Sequence, residues 1–279
     1  MAFALVPVEC DIEGVDMSAR SASSRSALSY SPKWILADLC DLRHVDQLVC
    51  LPHAGGSASA YRSWLAPVSG VVDVLPVQLP GRETRIKEPL EVDFERLTGK
   101  IADVLYRAEL PNVSLFGHSM GALLAVAVCG ALERAGTPVR HLFVSGHPGM
   151  RFVPRDSRLM VGVLDTDETL SDSLAALDPV LGLPQNEELR AMFLPVLRAD
   201  LMMLRNLPPM TRVSTPITAL GGSDDPLLAG FDLSGWAKLT DRDCVTHRLP
   251  GGHFHLQHQS EAIAPIIRER LGISPDGQH

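Results

Sequence analysis

Aromatic side chains are scarce, at 5% of the 279 residues, and no cluster of them or charged anchor stands out to specify a substrate group. An apolar, permissive pocket is expected. Long hydrophobic runs are also missing, and the longest are far too short to span a bilayer, so no membrane anchor is expected. Positive charge is in deficit: 25 Lys and Arg face 33 Asp and Glu, a net charge of -8. That balance argues against a nucleic-acid footprint and leaves open a local basic patch facing an acidic partner. No C-x-x-C pair occurs, and the five cysteines (Cys10, Cys40, Cys50, Cys129, Cys244) are odd in number and scattered. This excludes a local redox or metal pair and fits a reducing cytoplasm, with Cys50 and Cys129 read as small buried hydrophobes. The N-terminus has no positive n-region, and Glu9, Asp11, Glu13 and Asp16 spoil a transit peptide, so no export is expected. Residues 1–31, with a Ser/Ala/Arg-rich tract, have little to bury and are expected to be a disordered extension, and Met17 is a second candidate start. No internal repeat is visible.

What is present is a soluble globular composition, 46% hydrophobic and 21% charged, long enough for one large α/β domain. From residue 47 strands and helices alternate: a strand at 47–51, a helix at 58–68, a strand at 71–78, a helix at 92–108 and a strand at 112–116. A helix at 120–135, closed by Gly136, and a strand at 141–145 follow. Such alternation implies a mainly parallel sheet covered on both faces. The pattern breaks over 149–207, where helices are expected at 158–164, 169–177 and 187–205 and no strand is convincing. Six of the nine methionines (Met150, Met160, Met192, Met202, Met203, Met210) fall in or beside this interval. They suit a flexible wall over a substrate, and equally ordinary helix packing. Strands at 217–220 and 244–249, with helices at 234–239 and 260–271, complete the chain. The expected division is a core of 32–148 and 208–273, a helical lid at 149–207 and a tail at 274–279.

The chain is organised around Leu115-Phe116-Gly117-His118-Ser119-Met120-Gly121. A serine between two glycines, after an apolar strand and before an apolar helix, reads as a nucleophile elbow, because side chains flanking so sharp a turn would collide. A serine hydroxyl needs a histidine to take its proton and a carboxylate to orient that histidine. The order Ser, Asp, His is available on late loops: Gly222-Ser223-Asp224-Asp225-Pro226 and Gly251-Gly252-His253-Phe254. Ser119, Asp225 and His253 are the expected triad, with Asp224 the alternative carboxylate. His118 is read as orienting the elbow. The spacing His253, His255, His258 raises a metal site, but no cysteine or carboxylate cluster joins it. Two backbone donors are needed for an oxyanion. Met120 N–H follows the nucleophile, and the loop Pro52-His53-Ala54-Gly55-Gly56-Ser57 offers Ala54 N–H. A phosphate-cradling reading of Gly55-Gly56 fails because the Lys-Ser/Thr of a P-loop is missing. No cofactor is called for.

Taken together, Leu48-Val49-Cys50-Leu51-Pro52-His53-Ala54-Gly55-Gly56-Ser57, Gln78-Leu79-Pro80-Gly81-Arg82, Gly117-His118-Ser119-Met120-Gly121 and Pro250-Gly251-Gly252-His253-Phe254 resemble one family. It is the type II (external, editing) thioesterases of polyketide and nonribosomal peptide synthesis, members of the α/β-hydrolase superfamily. The resemblance runs from Trp34 to Leu271 and includes Leu197-Arg198-Ala199-Asp200 in the expected lid. It implies hydrolysis of acyl groups from the phosphopantetheine thiol of acyl- or peptidyl-carrier proteins, in the cytoplasm, with Ser119, Asp225 and His253 as triad. Two stretches depart from the family: the extension before Trp34, and Ser145-Gly146-His147-Pro148-Gly149, where an arginine and Ala-Pro are more usual. A general serine esterase or acyltransferase on the same fold is the alternative reading. A non-catalytic carrier- or ligand-binding protein is the remote one.

Overall fold

The computed structural model describes residues 33–37, 39, 42–64, 66–149, 166–177 and 186–274. Six strands make one sheet: β1 (Asp46–Leu51), β2 (Asp73–Pro76), β3 (Asn112–His118), β4 (Leu142–Ser145), β5 (Ile217–Gly222) and β6 (Cys244–Leu249). Every neighbouring pair is parallel, in the order β2-β1-β3-β4-β5-β6. Parallel neighbours need long crossovers. Between β2 and β3 the crossover carries α1 (Phe94–Ala108), and between β3 and β4 it is α2 (Met120–Arg134). Between β4 and β5 lie α3 (Asp167–Leu177) and α4 (Glu187–Arg205), while α5 (Ser260–Arg270) follows β6.

Successive side chains of a strand point to opposite faces, and here both faces are buried. Leu48, Cys50, Phe116 and Phe143 pack with Tyr61, Trp64, Ile263 and Ile267 on one side. Their chain neighbours Val49, Leu51, Leu115, Leu142 and Val144 pack with Leu97, Ile101, Leu124, Val128, Leu197 and Leu201 of α1, α2 and α4 on the other. This is why the inner strands read as continuous apolar runs. Only β6, at the edge, alternates between half-buried and exposed positions.

The stretch expected as a helix over 58–68 is a 3-10 helix, Ala58–Trp64. Its period of three puts Tyr61 and Trp64 on one side, where Tyr61 OH donates to Leu51 O at 2.6 Å and Trp64 Nε1 donates to Leu256 O at 3.0 Å. Leu233–Leu239 is likewise a 3-10 helix. The strand expected over 71–78 is confined to Asp73–Pro76. Beyond it Val77 N still donates to Cys50 O at 2.9 Å, while Gln78 N, on the outer edge, donates to Trp34 O at 2.7 Å. The expected helix at 158–164, Met150, Met160, and residues 1–31 and 275–279 lie outside the described residues.

The chain leaves β1 for β2 on one side and then returns past β1 to β3, so the strand order reverses between β1 and β3. In open parallel sheets the crevice beyond the C-terminal ends of such strands is where ligands bind. The loops leaving β1 and β3 are Pro52 to Ser57 and the Ser119 elbow.

Candidate active site

Ser119 joins β3 to α2 with φ 55° and ψ -116°, a backbone state that costs a non-glycine residue of order 1–3 kcal/mol and persists only where its surroundings enforce it. Those surroundings are visible. A Cβ added at Gly117 would lie 2.0 Å from Gly121 O, and one at Gly121 would lie 2.1 Å from Leu51 O, so both positions must be glycine. Ser119 N donates to Ser145 O at 2.8 Å, tying the turn to β4. Met120 is the first residue of α2, so its N–H is one of the helix donors with no intrahelical partner.

At the ends of β5 and β6 two loops are pressed together: a Cβ at Gly222 would meet Gly251 O at 2.4 Å and Gly252 O at 2.3 Å. Ser223 N donates to Leu249 O at 2.8 Å and Asp224 N to Gly251 O at 3.0 Å. Across this seam Asp225 Oδ2 lies 2.9 Å from His253 Nδ1, with both side chains almost fully buried. Asp225 Oδ1 accepts from Leu227 N at 2.9 Å, which fixes the carboxylate plane. A carboxylate only accepts, so it selects the tautomer with the proton on Nδ1 and leaves Nε2 as a base. Asp224 is exposed and accepts from Ser223 Oγ at 3.1 Å, so it is the carboxylate that does not reach the imidazole. The ring of His118, the residue before Ser119, is 4.9 Å from the ring of His253. Among the described residues no hydrogen bond joins Ser119 Oγ to His253.

The loop after β1 forms a turn in which Gly56 N donates to His53 O at 2.9 Å and Gly55 has φ 74°. A positive φ at that third position is what a type II turn requires. The N–H of Gly55 is taken by Asp200 Oδ2 at 2.8 Å. Gly55 N–H and Gly56 N–H are both engaged, whereas among the described residues Ala54 N–H makes no hydrogen bond. Asp200 arrives from α4 fully buried and meets Arg82 in a two-pronged pair, Nη1–Oδ2 2.8 Å and Nη2–Oδ1 2.9 Å. Arg82 Nη1 also donates to Gly56 O at 3.0 Å, and Gln78 Nε2 donates to Arg82 O at 3.0 Å. Phe193 and Leu197 lie on the same face of α4: a Cβ at Gly55 would come within 3.0 Å of the Phe193 ring and 3.3 Å of Leu197 Cδ1. Arg82 and Asp200 lie in motif stretches of the sequence that assign neither residue a role. The available signal was a charge set in an apolar helix stripe, as Asp200 is between Leu197, Leu201 and Leu204.

The Thioesterase domain family matches residues 46–271. The chain belongs to that family. A probable cadicidin biosynthesis thioesterase of Streptomyces griseus is 33% identical over 228 residues, covering 81% of this chain and 62% of that protein. Linear gramicidin dehydrogenase LgrE of Brevibacillus parabrevis is 30% identical over 86% of this chain and 92% of its own length. Among solved structures, BorB, described as the type II thioesterase from the borrelidin biosynthetic cluster, superposes with a TM-score of 0.67 at 34% identity, covering 81% of this chain and 91% of BorB. The six-stranded parallel sheet with helices on both faces is thus the α/β-hydrolase fold of these thioesterases.

This thioesterase domain carries a second serine and histidine pair that sequence reasoning did not detect. Ser145 Oγ lies 3.3 Å from His255 Nε2 and 3.2 Å from His118 Nδ1, and His255 Nδ1 lies 3.3 Å from Gly252 O. A carbonyl only accepts, so His255 carries its proton on Nδ1, Ser145 donates to His255 Nε2, and His118 Nδ1–H donates to Ser145. His118 Nε2 is then an acceptor, buried with no partner. Burial pushes the pKa of both His118 and His255 down, so neither takes a proton readily. His258 is exposed, and the rings at 253, 255 and 258 therefore have separate surroundings. In the departing stretch 145–149, His147 Nδ1 accepts from Gly149 N at 3.1 Å, and desolvation lowers its pKa to about 3. Trp236 Nε1 donates to His147 O at 2.7 Å, which seats this segment against the 3-10 helix at Leu233–Leu239. Desolvation also lowers His53 to about 4.

Proposed function

We propose that this protein is a cytoplasmic type II thioesterase that hydrolyses acyl groups from the phosphopantetheine thiol of acyl- or peptidyl-carrier proteins, clearing stalled or mis-primed synthases. Ser119, His253 and Asp225 are its triad. Ser119 Oγ attacks the thioester carbonyl carbon and His253 Nε2 takes the hydroxyl proton. The C–S bond breaks, and His253 returns the proton to the departing thiolate. Water then adds to the acyl-enzyme with His253 again as base, the acid leaves, and Ser119 recovers its proton. The Ala54 and Met120 amides hold the negative oxygen in both steps, each donor worth about 3 kcal/mol in the transition state. No cofactor enters. Residues 149–207 act as the lid that admits the phosphopantetheine arm and its acyl chain over an apolar site.

The observation that carries the catalytic reading is the buried 2.9 Å Asp225–His253 pair beside a serine held in strained geometry at a helix N-terminus. Support for the carrier-bound substrate comes from relatives such as BorB and the cadicidin thioesterase. The test is acyl release from an acylated carrier protein, set beside the same acyl group on a small thiol and on a p-nitrophenyl oxyester, with Ser119→Ala as control. Marked preference for the carrier thioester is expected. Oxyester preference with indifference to the carrier would remove the editing role and leave a general esterase.

A further inference from the structure

Asp200 and Arg82 are both buried, at 0% and 6% exposure, and they belong to segments 118 residues apart. A pair that merely stapled α4 to the loop after β2 could satisfy itself anywhere. Apart from a longer bond from Arg82 Nε to Pro80 O at 3.4 Å, this one is also joined to a single turn: Asp200 accepts from Gly55 N at 2.8 Å and Arg82 donates to Gly56 O at 3.0 Å.

The central peptide of that turn, between Ala54 and Gly55, is the unit most prone to flip, because glycine accepts either sign of φ. It is held at both ends. Its carbonyl, Ala54 O, lies 2.9 Å from His53 Nδ1, which must carry the proton there, and its N–H is the one bound to Asp200. The preceding peptide is oriented by the same turn. His53 O is folded inward onto Gly56 N–H, and in a trans peptide the N–H points opposite to the C=O, so Ala54 N–H is aimed out of the turn.

We propose that Asp200, gripped by Arg82, is a positioning residue: seated on α4, it holds the His53–Gly56 turn in the form that presents Ala54 N–H, so that the oxyanion site is set only while this helix is docked. The assignment rests on the function proposed above. Phe193 and Leu197 reinforce it sterically, since they occupy the same helix face over Gly55.

The test uses Asp200→Asn, Arg82→Lys and the double variant Arg82→Met with Asp200→Leu, assayed with an acyl thioester of a small thiol. Melting temperatures and the inhibition constant of a trifluoromethyl ketone, which forms a tetrahedral oxyanion on the serine, are measured alongside. The double variant removes both charges, so it avoids the uncompensated buried charge that makes single changes prone to unfold. Loss of the amide's aim should lower kcat by about 10²–10³ in Asp200→Asn and in the double variant, the range seen when one oxyanion donor is lost. KM should stay within about threefold, and the ketone should weaken by the same factor as kcat/KM. A folded double variant with near wild-type kcat overturns the proposal, as does a loss confined to KM with the ketone unaffected. Arg82→Lys keeps a charge opposite Asp200 but not the fork, and decides the matter in the same way should the double variant not fold. Ser119→Ala separates the two levels: if it stays active the catalytic reading itself fails, whereas an inactive Ser119→Ala beside a fully active Asp200→Asn sinks only the positioning role.

Discussion

Two serine and histidine sets lie side by side at the end of the sheet, with His118 between them, its ring 4.9 Å from His253 and 6.0 Å from His255. In one, a half-buried Ser119 sits in strained geometry at a helix N-terminus, and His253 is paired with a carboxylate. In the other, Ser145 is fully buried at the end of a strand, and His255 rests on the carbonyl of Gly252. Only the second set contains a direct serine to histidine hydrogen bond, at 3.3 Å. On the function proposed above, such a bond does not by itself make a nucleophile. A neutral carbonyl cannot stabilise an imidazolium as a carboxylate does, and a fully buried serine has no access to a substrate.

The largest effect that could break this comparison is the exchange of the two serines for alanine. Ser119→Ala should lower kcat by about 10⁶. Ser145→Ala leaves His118 Nδ1 and His255 Nε2 unsatisfied and should cost about 1–3 kcal/mol of stability, with kcat within about tenfold of the parent. Steady-state kinetics and urea melts on both variants check this, and inverted results would move the nucleophile to Ser145.

The two carboxylates sharpen it next. Asp225→Asn keeps the shape but offers His253 an amide that can donate, favouring the wrong tautomer, and a loss of about 10⁴ in kcat is expected. Asp224→Asn, on the exposed side of the same loop, should leave kcat close to the parent value. A large loss at Asp224 together with a small one at Asp225 would contradict the tautomer argument.

How much of this was legible in the sequence varied with how local the cause was. The range 187–205 reads as a helix and is one, because Asn186 caps it, accepting from Leu189 N at 3.1 Å, and an apolar stripe runs its length. The strand at 244–249 was equally readable. Over 58–68 the spacing of apolar residues suited an α-helix as well as the 3-10 helix that forms, and only the sheet beneath Tyr61 and Trp64 decides between them. Asp224 and Asp225 were both open until side-chain direction separated them. Arg82 with Asp200, and Ser145 with His255, are pairings across long sequence separations that no local pattern announces.

Acid tests the buried histidines around both sets more gently. His118, His255, His53 and His147 all have their pKa lowered by burial, His53 to about 4 and His147 to about 3. In the unfolded chain each takes a proton near pH 6.5, while in the fold each stays neutral to lower pH. Above 6.5 the two states bind equal numbers of protons at these sites and stability is fully present. Below it the unfolded state binds more, so stability falls by about 1.4 kcal/mol per pH unit for each histidine kept neutral. The buried carboxylate Glu91, whose burial raises its pKa but whose bonds to Arg96 and Lys100 draw it to about 2, acts only in stronger acid. The interval from pH 6.5 to 5 therefore isolates the histidines. With His141, also lowered by burial to about 4, urea melts across it should show more than one proton taken up on unfolding, and a stability flat over the same interval would mean that these buried rings are open to water.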